Sequence, residues 1–228
     1  MPVDQQASKP MALTTGVLAD RSLPNLRPLL EKLPPQSLVA DFGAGRGRHS
    51  LYAARLGHSV LAVEKRADTF ADLRLNLERA GVPGDRMRLV GGDYLDVDPL
   101  PTEKIDLLVV TGVLQHCVDR NDLTRRLTHL ADVTPKAGAI IFIEMLFDMK
   151  FDGKPKPGRV EISVEEFEHL LPQVFPAKSW KIERVAGPVS QVLDFSGGGR
   201  SFISEAKLVE QTAAEYVLTR TTSMKQEP

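Results

Sequence analysis

The chain has 228 residues, of which 42% are hydrophobic, 26% charged and 6% aromatic, enough apolar material for one core without disulfides or a metal. Lys and Arg total 29 against 30 Asp and Glu, a net charge of -1 that gives no overall field for a polyanion and argues against a dedicated nucleic-acid binder. The single cysteine, Cys117, excludes a disulfide framework and a Cys-rich zinc site, while the longest apolar stretch, Ala139 to Phe147, is interrupted by Glu144 and falls far short of the roughly 20 residues of a membrane helix. The opening MPVDQQASKP lacks the cationic start and apolar core of a secretory signal, so the expectation is a cytoplasmic, single-domain protein with no membrane partner.

Short apolar runs alternate with helix-period segments, the pattern of an α/β fold built on a mainly parallel sheet. Met1 to about Arg21 is polar and weakly patterned and reads as a tail or an arm over a site. Leu26 to Leu33 reads as a helix with Asn25 as N-cap, Pro28 in the first turn and four leucines on one face, stopped by Pro34 and Pro35. Ser37 to Phe42 is a predicted strand entering a Gly-rich turn, and Arg48 to Leu56 is the helix after it, closed by Gly57. Ser59 to Glu64 is the second strand, Ala67 to Ala80 a helix with Phe70, Leu73 and Leu77 on one side, and Arg86 to Gly91 the third strand. Ile105 to Thr111 has the near-continuous apolar run of a strand buried on both faces. A helix marked by Leu123, Leu127 and Leu130 leads to a fifth strand from Ala139 to Met145.

Beyond it, Lys150 to Arg159 is basic and broken by Pro and Gly: either a solvated linker or a lid that attracts an anionic acceptor. Ser163 to Glu166 has the form of a capping box opening a helix that buries Phe167, Leu170 and Leu171. Strand-like runs follow at Trp180 to Val185, Val189 to Phe195, Ser201 to Val209 and Tyr216 to Thr221. Ser196 to Gly199 is a turn between two of them, with an anion nest at Gly197 to Arg200 as the sharper reading. Late strands joined by turns imply an antiparallel edge on the sheet.

The chemistry concentrates in VADFGAGRGRHSLYAARLGHSVLAVEKR, Val39 to Arg66. A strand turns through Gly43, Gly45 and Gly47 into a helix, where a ligand can approach the backbone and meet the N–H groups of the helix start. The next strand ends in Glu64, 23 residues after Asp41, where a carboxylate can accept both hydroxyls of a ribose. A dinucleotide fingerprint wants a third glycine where this chain has Arg48, and Asp41 would set a carboxylate beside a pyrophosphate. The same carboxylate suits a cationic end such as the amino group of a methionine moiety, so the turn points to S-adenosylmethionine rather than NAD. Asp93 and Tyr94 follow the third strand, where a carboxylate can accept from an adenine amino group and a neighbour can flank the ring. Thr111 ends the fourth strand, with Gln115 and His116 in the loop beyond.

These residues resemble the class I S-adenosylmethionine-dependent methyltransferases, and DFGAGRGRHSLYAARLGHSVLAVE is similar to motif I of the tellurite-resistance-type and ubiquinone-methylase-type enzymes. The resemblance covers about Pro35 to Met145, and departs from its nearest relatives at Ala44 and Glu64. It implies a Rossmann-like doubly wound sheet of seven strands, mainly parallel with an antiparallel edge strand and helices on both faces. It divides the chain into an arm and helix (1–34), a cofactor core (35–145) and an acceptor side (146–228). Asp41, Gly43, Ala44 and Gly45 would hold the methionine end, Glu64 the ribose, and Lys65 would lie along the adenine. Asp93 and Tyr94 would border the base, Thr111 would floor the methionine, and Gln115 and His116 would complete the pocket.

Some residues carry two readings. Arg48 either meets the cofactor carboxylate or pairs with a surface acid, and His116 is either a general base or a packing residue. Cys117 is a soft acceptor site or a small buried hydrophobe, and Glu144 either faces the acceptor or pairs with an arginine. His49, His58, His129 and His169 lack metal-ligand spacing and read as surface or helix-end residues; no metal is expected. The implied activity is methyl transfer to a small molecule at O, N, C or S by direct displacement, from a monomer or homodimer. A non-catalytic cofactor-binding subunit and, less favoured, a nicotinamide oxidoreductase are the alternatives.

Overall fold

The computed structural model describes residues 19, 21–98, 100–155, 158–194 and 208–222. Five parallel strands form the body of the sheet: β1 (Leu38–Phe42), β2 (Ser59–Glu64), β3 (Met87–Gly91), β4 (Ile105–Thr111) and β5 (Ile140–Phe151). β7 (Trp180–Asp194) and β8 (Leu208–Arg220) complete it in the order β3-β2-β1-β4-β5-β8-β7, and the two-residue β6 (Lys154–Pro155) folds back on β5. β8 runs antiparallel to both neighbours, so the expected antiparallel pairing lies at that edge. The strand order reverses between β1 and β4, which makes the carboxyl ends of those strands the switch point of the sheet.

The reversal also divides the core. α1 (Arg27–Lys32), α2 (Arg48–Arg55) and α3 (Ala67–Arg79) bury Leu30, Leu51, Leu73 and Leu77 against Val39, Leu107 and Val109 on one face. α4 (Arg120–Asp132) and α5 (Val164–Val174) bury Leu123, Leu127, Phe167 and Leu171 against Ala40, Leu108 and Val110 on the other. Strand residues alternate between the two layers, as a sheet covered on both faces requires. α5 opens with the expected capping box: Ser163 Oγ accepts from the Glu166 N–H, and the Glu166 carboxylate accepts from the Ser163 N–H.

Several expectations change. α1 begins at Arg27 with Leu26 as its N-cap, because Asn25 donates from Nδ2 to Glu215 Oε2 at 3.0 Å instead of capping. His49 and His58 are buried, not at the surface. His49 Nδ1 meets Ser22 Oγ at 3.0 Å, and His58 Nε2 donates to the Leu30 carbonyl at 2.9 Å, contacts that the spacing of histidines alone does not reveal. β5 runs six residues past Met145, and the two runs around Val185 and Val189 form one strand, β7, with register shifts near Ala186. The 150–159 segment is neither linker nor lid at its start: Lys150 and Phe151 pair with Pro155 and Lys154 in a hairpin. The tail up to residue 18 and the Ser196–Arg200 turn lie outside the described residues.

Candidate functional site

β1 delivers Asp41 and Phe42 into the glycine turn, where Gly43 and Gly47 adopt φ of 74° and 89°. Glycine is required at 43 for space as well as conformation, since a Cβ there would lie 2.3 Å from Cγ2 of Val113. The Gly43 and Ala44 N–H groups donate to the Val63 carbonyl at 2.8 and 3.0 Å, which ties the turn to the end of β2. Glu64 holds it from the side: Oε2 accepts from the Gly45 N–H at 2.9 Å and Oε1 from the Arg66 N–H at 2.8 Å.

Asp41 lies beneath this turn with 1% of its surface exposed. Oδ2 accepts from Ser50, from the hydroxyl at 2.6 Å and the N–H at 3.2 Å, whereas Oδ1 has no partner among the described residues. Burial pushes the carboxyl up to about 6, an effect opposed by Ser50 and by the positive charge of Arg48. Ser50 escapes notice in the sequence; its signal is its place one turn into α2, where its N–H and hydroxyl point back at the strand.

Asp93 is more fully engaged than expected. The Arg126 fork donates to both its oxygens at 2.9 Å, Lys65 Nζ lies 3.2 Å from Oδ2, and the Leu95 N–H donates to Oδ1. These donors hold its carboxyl well below the usual carboxylate range. Arg126 is a residue that sequence reasoning misses, and its sequence signal is a spacing of four from Asp122, with which it also pairs. Tyr94 enters the core rather than the cleft: its ring is 4% exposed, stacks on Phe42 at 5.0 Å and lies under the Arg126 guanidinium. Burial pushes its phenol up to about 12.

At the end of β4, Thr111 lies opposite Glu144 of β5. A Cβ on Gly112 would sit 3.6 Å from Gln115 Nε2 and 3.9 Å from Glu144 Oε2, so the amide and the carboxylate flank that glycine. Arg48 reaches Glu144 at 3.6 Å, so Glu144 pairs with an arginine as one of its readings had it, while the acid that Arg48 meets is a largely buried one rather than one at the surface. Burial raises the Glu144 carboxyl above its usual range, Arg48 opposes this and nearby Glu215 adds to it. Gln115 is 3% exposed, yet neither its Oε1 nor its Nε2 has a partner among the described residues. His116 lies exposed at the end of the 3-10 turn Leu114–His116. Cys117 is buried, and desolvation pushes its thiol up to about 12, which makes it an inert packing residue.

A cavity of about 310 Å³ opens from Gln115 toward Leu146, Met149, Arg159, Val160 and Ile162, within the size range of small-molecule pockets. A second, of about 330 Å³ between α4 and α5 at Arg120 and His169, meets the first only at Ile162. Among the described residues no cluster of His, Cys, Asp and Glu could hold a metal ion.

Residues 40–142 match the family model of the methyltransferase domain. No curated protein sequence gives a significant match. Among solved structures, the N-terminal domain of EvdMO1 with S-adenosylhomocysteine bound aligns with a TM-score of 0.58 at 16% identity, over 90% of this chain and 81% of that one. TehB from Haemophilus influenzae aligns with a TM-score of 0.58 at 17% identity, over 91% of this chain and 62% of the other. The precorrin-6y C5,15-methyltransferase from Geobacter metallireducens GS-15 gives 0.52 at 16% identity, over 87% of each. At such identities the structures share the fold. Residues 40–142 are thus similar in sequence to the methyltransferase domain, and the chain shares the fold of these solved structures.

Proposed function

We propose that the protein moves a methyl group to a small-molecule acceptor at O, N, C or S, with the whole chain acting as one catalytic domain. The observation that carries the reading is Asp41: a buried carboxylate under a left-handed glycine turn at the switch point, with Oδ1 unpartnered among the described residues. An ammonium above the turn would relieve it, which fits the amino end of the cofactor. Asp41, Gly43, Ala44 and Gly45 then hold the methionine end, and Arg48 is within reach of its carboxylate. Glu64 meets the ribose, Lys65 and Asp93 border the base, and Tyr94 supports that border from beneath. Thr111, Gln115 and His116 line the side toward the acceptor.

Bound S-adenosylmethionine supplies a methyl group activated by its sulfonium charge, open to direct displacement by an acceptor lone pair. The chain's own contribution is alignment and exclusion of water, which can supply about 7–11 kcal/mol. Glu144, with its raised proton affinity, and exposed His116 are the proton-accepting candidates, worth roughly 10²–10⁴-fold where the acceptor must lose a proton. The net charge of -1 favours a small acceptor over nucleic acid, and no helix of the described residues is long and apolar enough to cross a membrane. A cytoplasmic monomer or homodimer fits the lone buried cysteine.

Titration calorimetry tests the site. Asp41→Ala should weaken S-adenosylmethionine binding about 10–100-fold, the scale of a lost charge-assisted hydrogen bond. Wild-type affinity should rise with pH through about 6, because the ammonium prefers the ionised carboxylate. Binding of NAD(H) alone would overturn the reading, and an affinity indifferent to both changes would overturn the role of Asp41. Transfer of a labelled methyl group to an acceptor separates catalysis from binding.

A further inference from the structure

The cavity that begins at Gln115 has a polar layout that methyl transfer by itself does not require. Leu146 and Ile162 are buried and Met149 and Val160 half-buried, giving it an apolar body. Of its charged wall residues, Asp148, Lys150 and Glu161 are exposed, where water screens them, and Arg159 alone is half-buried. Arg159 makes only soft contacts among the described residues: Nη1 lies 3.5 Å from Met149 Sδ, and the guanidinium sits 5.5 Å from the centre of the Phe151 ring. No carboxylate pairs with it among the described residues, and burial draws its pKa down. A desolvated guanidinium without a counter-anion is costly, and an anionic ligand would relieve it. At the other end stands the Gln115 amide, with both polar atoms unsatisfied. The two ends are joined, since the Val160 N–H donates to the Cys117 carbonyl at 2.6 Å.

We propose that this cavity receives the methyl acceptor and that Arg159 determines its specificity, selecting a small molecule that pairs an apolar body with a carboxylate or phosphate group. The inference rests on the methyltransferase reading above. Gln115 would orient the acceptor next to Glu144, with which it flanks Gly112. The fork geometry of a guanidinium matches both anions, so the structure selects the charge and leaves the oxyanion to the test.

S-adenosylhomocysteine binding to the wild-type protein is measured first; its failure would sink the methyltransferase reading itself. The loaded protein is then titrated with benzoate, phenyl phosphate and neutral benzamide. At least one anion should bind about tenfold or more tightly than benzamide, and Arg159→Met should remove that advantage. Arg159→Lys should keep part of it, because the charge remains while the fork is lost. The proposal is overturned if S-adenosylhomocysteine binds but neither anion does, if benzamide binds as well as they do, or if Arg159→Met retains anion affinity within about twofold. The comparison of anion with amide on wild-type protein decides even if the methionine variant fails to fold.

Discussion

The glycine turn at the switch point and the cavity beyond Gln115 treat their polar groups differently. Around the glycine turn, both oxygens of Glu64 accept internal N–H donors, from Gly45 and Arg66, and Asp93 accepts from Arg126, Lys65 and Leu95. Around the cavity, Gln115 and Arg159 have no polar partner among the described residues beyond the Met149 sulfur. The turn is fixed from within, whereas the cavity keeps hydrogen-bonding capacity free for a guest. Near the glycine turn, Asp41 Oδ1, Tyr94 Oη and His49 Nε2 are likewise buried without a partner among the described residues.

The largest effect should come from disturbing the rigid side. Gly43→Ala places a methyl group against Val113 in a left-handed conformation and should destabilise the protein by about 2–4 kcal/mol, with S-adenosylhomocysteine affinity falling about 100-fold. Adding Val113→Ala should restore roughly half of the stability in urea melts, since the steric part goes and the backbone part stays. A single mutant that melts like wild type would break the contrast.

Arg126→Met should cost about 2–3 kcal/mol, because it leaves a carboxylate that is only 12% exposed with Lys65 and the Leu95 N–H as its remaining donors. The pH dependence has a definite sign. Asp93 has a folded-state pKa below its unfolded value, so the pair's stabilisation is complete above about pH 4–5 and lost as pH falls through the folded value. Acid unfolding of the variant should therefore start from lower stability and be less steep; equal slopes in pH-dependent urea melts would count against it.

The smallest effect has the opposite direction. Gln115→Met removes two unsatisfied buried atoms and should raise ligand-free stability by about 1 kcal/mol, visible as a shift of a few degrees in Tm. The same variant should turn over acceptor more slowly, and a loss of stability would mean that Gln115 serves the fold rather than the guest.

Much of the fold is readable from local pattern. β2 spans Ser59 to Glu64 as expected, because its apolar run is bounded by Gly57 and by a charged turn. The glycine turn, the capping box of α5 and the α4 leucines are equally local. What escapes reading is long-range. The partner of Asp93 lies 33 residues away on α4, and the inward turn of Tyr94 depends on Phe42 from another strand. His58 is buried because the α1 carbonyl of Leu30 reaches it, and Arg159 matters because a hairpin returns it to Phe151. Composition marks 150–159 as basic without indicating which of its cations loses water.

One detail of β5 bears on how this protein can diverge. Its pairing with β8 is regular to Phe147 opposite Thr212 and resumes at Lys150 opposite Glu210, so Asp148 and Met149 together face Gln211. This bulge lets Asp148, Met149 and Lys150, three consecutive residues, all reach the cavity, where a regular strand would present alternate ones. Deleting a single residue there would restore a regular ladder with Lys150 still opposite Glu210, and would remove one cavity-lining side chain without disturbing the pairing beyond it. The wall of this cavity can therefore change in one step, by an insertion or deletion at one position of one strand, while the glycine turn is left intact.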